Sequence, residues 1–149
     1  MKKYLLYAAV ATYLGSLAVP GIILTGGSVN TFGYNLLLTG WSGLLVGIIP
    51  WLANPLIFFA WGAAKKEKYR NSLILSIVAF CVGLQTLTLN PFIVDEGGGT
   101  IPVAFFGPGF LLWELSFLLF AIYSLTKLRE TPKPSVIAEA VPPSVQSPG

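Results

Sequence analysis

The sequence predicts an all-α integral membrane protein: a bundle of four transmembrane helices with both termini in the cytoplasm and a disordered C-terminal tail. Three observations predict this class. The 149 residues are 54% hydrophobic and only 10% charged, whereas charged residues make up about a quarter of a soluble globular domain. The apolar residues collect in four long runs, and the basic residues lie at the ends of these runs. Most of the chain must therefore be solvated by lipid.

Four apolar segments are long enough to cross a bilayer. A helix rises 1.5 Å per residue, so about 20 residues cross a hydrocarbon core about 30 Å thick. The predicted transmembrane domain covers residues 1–129, with spans at residues 4–24, 41–64, 72–89 and 108–126.

The first segment has a second interpretation. It follows two lysines and contains small residues up to Ala18, a pattern that also fits a secretory signal with a cleavage site there. The apolar run continues to Leu24, which favours a retained helix. In both cases the chain starts in the cytoplasm.

The basic residues predict the orientation. With four spans, all nine fall on one side of the membrane: Lys2, Lys3, Lys65, Lys66, Lys68, Arg70, Lys127, Arg129 and Lys133. Cytoplasmic loops carry an excess of Lys and Arg, so we expect both termini inside the cell, with the protein in a bacterial inner membrane. Three or five spans would split the basic residues between the two sides. This placement at the ends of spans argues against nucleic-acid binding, which needs a basic face.

The second span carries a ladder of small or helix-distorting residues at spacings of 3, 4, 3 and 4: Gly40, Gly43, Gly47, Pro50 and Asn54. Glycines at such spacings allow neighbouring helices to approach closely. Pro50 and Pro55 each remove a backbone donor, so we expect a kinked helix in which Asn54 is a partner for freed carbonyl groups. A discontinuous helix of this kind can line a substrate site.

The third span has a stripe of small and polar residues at heptad-like spacings, which predicts its packing face. The stripe comprises Ser72, Ser76, Ala79, Gly83, Thr86 and Asn90.

The segments outside the spans are predicted to be loops and a tail. Residues 25–35 are rich in turn formers. Residues 91–107 place an acidic, glycine-rich centre between two apolar arms, which predicts either a short hairpin on the membrane surface or a re-entrant cap. Pro108 suits the first position of a helix. Residues 130–149 contain five prolines and no aromatic residue, a composition typical of disorder.

Glu114 is the one ionisable side chain within a span. It lies about six residues into the fourth span, or about 9 Å along the helix. An isolated carboxylate at that depth costs several kcal/mol, so we predict an uncharged Glu114 that hydrogen bonds to Gln85 at a similar depth. Two roles stay open: a proton- or cation-exchanging group, or a polar clip between helices. The clip is favoured, because one carboxylate without an ionisable partner makes a poor relay.

The sequence excludes several kinds of site. It contains no histidine and one cysteine, Cys81, which rules out an internal disulfide, most zinc sites and any hydrolase that uses an imidazole base. We expect Cys81 to be a small buried hydrophobe. We predict no metal, no cofactor and no enzymatic activity.

The pattern of Gly40 and Trp41 followed by Trp51-Leu52-Ala53-Asn54-Pro55 resembles the second span of small uncharacterised bacterial inner-membrane proteins, and this resemblance implies no activity. The four-span size is similar to that of the small multidrug-resistance transporters, but their essential glutamate lies in the first span. The expected function is a structural, assembly or immunity-type accessory subunit that acts in the bilayer by binding another membrane protein or further copies of itself. The alternative is a small oligomeric transporter or channel that uses Glu114.

Overall fold

The computed structural model describes residues 2–25, 30–89, 92–93 and 100–130. This part of the chain is mostly helical. The α-helices are α1 (Lys2–Ala18), α2 (Gly33–Thr39), α3 (Ala53–Lys65), α4 (Tyr69–Leu84) and α5 (Pro108–Glu130). The strands are β1 (Pro20–Leu24), β2 (Asn30–Phe32), β3 (Phe92–Ile93), β4 (Thr100–Ile101) and β5 (Val103–Phe106). Short 3-10 helices cover Gly40–Val46, Pro50–Leu52 and Gln85–Thr88.

The first predicted span is shorter as a helix than the sequence indicated. α1 ends at Ala18, and the last five residues of the predicted span form β1. Pro20 provides the physical reason, because a proline disfavours the helical conformation of the residue before it and has no N–H group. The expectation of a continuous helix over residues 4–24 is therefore wrong for residues 20–24.

The second predicted span is divided into pieces rather than kinked. The 3-10 helix Gly40–Val46 stops at Gly47, which has a φ of 81°. A second 3-10 helix begins at Pro50, and α3 begins at Ala53. Both prolines therefore lie in the first turn of a helical piece, where a missing N–H group costs no intrahelical hydrogen bond. The expected kink is replaced by a break at residues 47–49.

The third and fourth predicted spans correspond to α4 and α5. With the 3-10 helix that follows it, α4 covers Tyr69–Thr88, and α5 begins at Pro108 as predicted. Within the described residues, these two helices are long and apolar enough to cross a membrane. The tail predicted for residues 130–149 lies outside the described residues, except that Glu130 ends α5.

Two small sheets form from the predicted loops and from the end of the first predicted span. The apolar arms of the 91–107 segment pair antiparallel through β3 and β4, as in the hairpin alternative, and residues 94–99 between them lie outside the described residues. A three-stranded antiparallel sheet in the order β2-β1-β5 joins the chain after α1 to the chain before α5. The Gly107 N–H extends this connection by donating to the Gly21 carbonyl at 2.8 Å. This sheet was not predicted from the sequence.

The four longer helices pack side by side: α1 on α5, α5 on α4, and α4 on α3. Each pair is antiparallel. The N-terminus of α5 meets the C-terminal end of α1, because Gly109 lies against the backbone of Val19 and Pro20. The start of α4 meets the end of α5, where the Ser72 and Ser124 hydroxyl groups lie 2.8 Å apart. The basic residues of α1, of the α3–α4 turn and of α5 consequently lie at the same end of the structure.

Polar side chains line the interior of this helical assembly, and large apolar side chains cover much of its outside. The buried polar residues are Ser16, Asn54, Ser72, Ser76, Thr86, Glu114, Ser116 and Ser124. They lie among a core of small and aromatic residues that includes Ala53, Ala79, Phe117 and Phe120. The outward faces of α4 and α5 expose Ile74, Ile77, Val78, Leu111, Leu115, Leu118 and Ile122. This distribution is the reverse of a soluble helix, whose polar face meets water.

Candidate functional site

Asn54 is the centre of a hydrogen-bonded cluster at the start of α3. Its side chain is 5% exposed, and its Oδ1 accepts hydrogen bonds from the Tyr13 hydroxyl and the Trp113 Nε1–H, both at 3.0 Å. Its Nδ2 donates to the Trp51 carbonyl at 3.3 Å, so Asn54 is a partner for a free carbonyl, as expected. One amide therefore links α1, α3 and α5.

Glu114 follows Trp113 in α5 and faces α4. It is 6% exposed, and neither of its carboxyl oxygens has a hydrogen-bond partner among the described residues. Its carboxyl group lies against Gly83 of α4. A Cβ atom at position 83 would overlap with Glu114 Oε1 and would lie 3.0 Å from its Cδ. The missing side chain of Gly83 thus provides the space that the carboxyl group occupies.

The predicted hydrogen bond between Gln85 and Glu114 is absent. Gln85 is exposed, whereas the buried face of α4 consists of Ser72, Ser76, Ala79 and Gly83. Residues two apart on a helix do not share a face. Because Gly83 faces α5, Gln85 faces away from α5. The prediction used the height of Gln85 along α4, but Gln85 points in a different direction around the helix from Gly83.

Aromatic side chains surround the two polar groups. The Trp113 ring lies 4.8 Å from that of Phe117 and 6.3 Å from that of Phe110. Tyr13 packs edge-on against Trp61 at 5.4 Å. The Trp61 Nε1–H is also buried without a partner among the described residues. The Glu114 carboxyl group, buried without a hydrogen-bond partner among the described residues and next to Gly83, lies in a largely apolar environment.

The small-residue stripe of α4 contacts α5 along its length, and its hydroxyl groups are satisfied near the basic end. Ser72 and Ser124 bond to each other, and the Ser76 hydroxyl donates to the Ser72 carbonyl at 2.7 Å. Ser76 and Ala79 are fully buried, with Gly83 in the same face. Asn90, the last predicted member of the stripe, lies outside the described residues.

The glycine ladder of the second span has a local role. A Cβ at Gly40 would lie 2.7 Å from Trp51 Cδ1, and a Cβ at Gly43 would lie 3.1 Å from Ile48 Cβ. Gly47 has no neighbour within 4 Å at that position and takes a left-handed conformation. Because the segment folds back on itself at residues 47–49, these glycines permit contacts within it, and the predicted helix–helix face in the outer half is not formed.

Cys81 also differs from expectation, since it is exposed on α4 rather than buried. It lies two residues before Gly83, on the opposite face of the helix from the stripe. No group of three or more His, Cys, Asp or Glu side chains that could hold a metal ion occurs in the described part of the chain.

Asn54 and Glu114 were identified from the sequence, but the hydrogen bonds of Tyr13 and Trp113 to Asn54 were not predicted. Tyr13 and Trp113 each combine a large apolar ring with one donor, and such residues usually find an acceptor when buried. That rule would have marked both as partners of Asn54, because acceptors are scarce in these helices. No protein-family model matches the chain, and no curated protein or solved structure is significantly similar to it.

Proposed function

We propose that the chain is a multi-pass inner-membrane protein of four spans, with both termini in the cytoplasm, that binds and releases a proton or a small cation at Glu114. The location in a membrane is supported by the apolar outer faces of α4 and α5 and by the polar interior between them. The orientation is supported by the collection of basic side chains at one end of the helices, which the positive-inside rule assigns to the cytoplasm.

The observation that carries the proposed activity is the buried Glu114 carboxyl group without a partner. Ionisable residues inside membrane spans are costly and usually mark ion or proton pathways. A carboxyl group that only clips two helices together would be bonded to the facing helix. Gly83 of the facing helix instead offers space and no donor side chain. The role of a polar clip between helices, which the sequence favoured, depended on a hydrogen bond between Gln85 and Glu114. That bond does not form.

The divided second segment supports the same proposal. Discontinuous helices near the membrane midplane form the substrate sites of many transporters. Here α3 begins beside the site, and Asn54 in its first turn bonds to Trp113, the residue next to Glu114. A movement of α3 would thus be transmitted to the segment of α5 that holds the carboxyl group.

Flux measurements in vesicles test this proposal. The purified protein is reconstituted with an internal pH-sensitive dye, and fluxes of H⁺, Na⁺ and K⁺ are followed after a gradient is imposed. We expect a flux with the wild-type protein that is lost in Glu114→Leu. Ser116→Ala is the matched control, because it removes a polar group from the same helix. The Ser116 hydroxyl donates to the Trp113 carbonyl within α5 and to no other helix of the described residues. Equal fluxes for wild type and Glu114→Leu would refute the proposal.

The topology has a separate test. In a Cys81→Ala background, single cysteines are introduced at the exposed positions Thr25 and Asn71, which lie at opposite ends of the helices. A membrane-impermeant maleimide added to intact cells should label Thr25→Cys and leave Asn71→Cys unlabelled. The reverse pattern would invert the orientation, and labelling of both would contradict the four-span arrangement.

The accessory-subunit function is the second candidate, and one observation favours it. α1 exposes a face with heptad-like spacings of 3, 4, 3 and 4, which suits packing against another transmembrane helix. The exposed positions are Tyr4, Tyr7, Ala11, Leu14 and Ala18. Purification in mild detergent distinguishes the two functions: a stoichiometric partner lost in Ala11→Phe would support the accessory function, and recovery of this chain alone would count against it.

A further inference from the structure

We infer that the ligand of the Glu114 site is a proton rather than a metal cation, and that Gly83 is the positioning residue that keeps the carboxyl group in its apolar surroundings. This inference rests on the exchange activity proposed above and narrows it to one class of ligand. The two observations behind it are the enclosure of both carboxyl oxygens and the position of Oε1 in the space that a side chain at Gly83 would fill.

The number of acidic ligands argues against a metal ion. Hard cations such as Mg²⁺ and Ca²⁺ take about six to eight oxygen ligands. Glu114 is the single acidic residue of the helix interior, and the described residues contain no cluster of three metal-ligating side chains. A bound metal ion would keep much of its hydration shell, yet both carboxyl oxygens are enclosed by protein atoms.

A proton needs only one of these oxygens. Its binding forms an O–H bond and leaves a neutral carboxyl group, which is the form that an apolar environment tolerates. In the release step the same O–H bond breaks, the proton passes to water, and the carboxylate keeps the electron pair. The small space beside Gly83 suits this exchange, because nothing larger than a hydrogen atom is added or removed.

Other titratable groups on the packed helices lie away from the carboxyl group. On α1, the Tyr13 hydroxyl donates to Asn54, and on α4, Cys81 is exposed. On α5, Tyr123 lies near Tyr69 of α4, towards the basic end. The lysine of α3, Lys65, is exposed at that same end. None of these groups forms a hydrogen bond with Glu114 in the described part of the structure.

Gly83 controls the position of the carboxyl group through its missing side chain. A Cβ atom there would overlap with Glu114 Oε1 and would also lie 3.1 Å from Trp113 Cζ3. A side chain at position 83 would therefore meet the carboxyl group and the indole ring together, and the carboxyl group would have to move. We therefore expect even alanine at this position to change the environment of the carboxyl group.

Infrared spectroscopy of the full-length protein in vesicles tests the ligand class. The C=O band of a protonated carboxyl group is assigned to Glu114 by its loss in Glu114→Leu. We expect this band to shift in D₂O, to disappear as pH is raised, and to be unchanged by Na⁺, K⁺, Mg²⁺ or Ca²⁺ at fixed pH. Loss of the band on adding one of these cations would overturn the proton assignment and leave cation exchange at Glu114 intact. A band that does not change with D₂O, pH or cations would refute both the proton assignment and the exchange activity at Glu114.

A second set of variants tests Gly83 with the same readout. We expect Gly83→Ala to shift the frequency of the Glu114 band, whereas Ser76→Ala, a substitution in the same face of α4, leaves it unchanged. The double variant Gly83→Ala/Glu114→Asp has an acid one methylene shorter and should recover a D₂O-sensitive band close to the original frequency. If Gly83→Ala does not fold, recovery of folding and of the band in this double variant supports the positioning role. An unchanged band in Gly83→Ala, or no recovery in the double variant, would overturn it.

Discussion

Asn54 on α3 and Glu114 on α5 are two buried polar residues, and they differ in their hydrogen bonding. Asn54 uses its amide for three hydrogen bonds to α1, α5 and its own segment, whereas Glu114 makes none within the described residues. Both are almost fully buried, with exposed fractions of 5% and 6%. The difference separates two reasons for burying a polar group. The Asn54 bonds stabilise one arrangement of three helices, but the Glu114 carboxyl group stabilises nothing that the structure records.

The Asn54 cluster should give the largest loss of stability. Asn54→Leu leaves the Tyr13 hydroxyl and the Trp113 Nε1–H buried without an acceptor, so we expect the free energy of unfolding to fall by about 2–4 kcal/mol. Unfolding by SDS in mixed micelles measures this change. Tyr13→Phe is the matched control, because it removes one donor and leaves Asn54 bonded to Trp113. It should cost about 1 kcal/mol or less. Equal losses for the two variants would show that Asn54 does not act as a shared acceptor.

The contact between Gly83 and Glu114 should give the next largest effect. Gly83→Ala places a methyl group where Oε1 lies, and overpacking of this kind costs about 1–3 kcal/mol. Removal of the carboxyl group should relieve the overlap, so Gly83→Ala/Glu114→Ala should be more stable than the sum of its single variants predicts. A double-mutant cycle in mixed micelles measures this coupling. Additive effects would mean that the carboxyl group does not occupy the space beside Gly83.

The stripe of α4 was predictable because its spacing identifies one face of a straight helix. The partners across that face were not, since Gln85 has the correct height along α4 but the wrong direction around it. The start of α5 at Pro108 followed from a local rule for proline. The paired arms of residues 91–107 match one of two alternatives, which came from the glycine-rich centre between two apolar stretches. The sheet formed by β1, β2 and β5 depends on pairing between residues about 80 positions apart. Pro20 is a local signal for the end of α1, but no local pattern in residues 21–24 shows that they pair with residues 103–106.

The second predicted span is another case in which a local pattern did not determine the contacts. Its glycines have the spacing of a helix–helix face, and this spacing predicted a packing role. The reversal at Gly47, however, turns the segment back on itself, so Gly40 and Gly43 contact Trp51 and Ile48 instead. Regular spacing places residues on one face only as long as the helix continues. The two prolines predict a disturbance of the helix, but they do not determine whether it is a kink or a break.

A third experiment compares the Glu114 end of the α4–α5 interface with its basic end, where the Ser72 and Ser124 hydroxyl groups satisfy each other. Ser72→Ala and Ser124→Ala should each lower the free energy of unfolding by about 1 kcal/mol. The double variant should cost less than the sum, because it leaves no hydroxyl group without its partner. Thermal unfolding in detergent measures the cycle. A coupling energy of zero would show that each hydroxyl is satisfied equally well by its own helix backbone.

The smallest effect, and the one with the opposite sign, belongs to Glu114 itself. Glu114→Leu replaces an unpartnered carboxyl group by an apolar side chain of similar size, so we expect the free energy of unfolding to rise by up to about 1 kcal/mol. Glu114→Gln keeps the shape but buries an amide with no partner, so it should be less stable than Glu114→Leu. Unfolding by SDS in mixed micelles ranks the two variants. A carboxyl group that clipped the helices through a hydrogen bond would give the reverse order, with glutamine tolerated and leucine costly. The ranking therefore decides whether Glu114 stabilises the fold, as Asn54 does, or not. A gain in stability together with a loss of flux in Glu114→Leu is expected only if Glu114 serves proton exchange rather than stability.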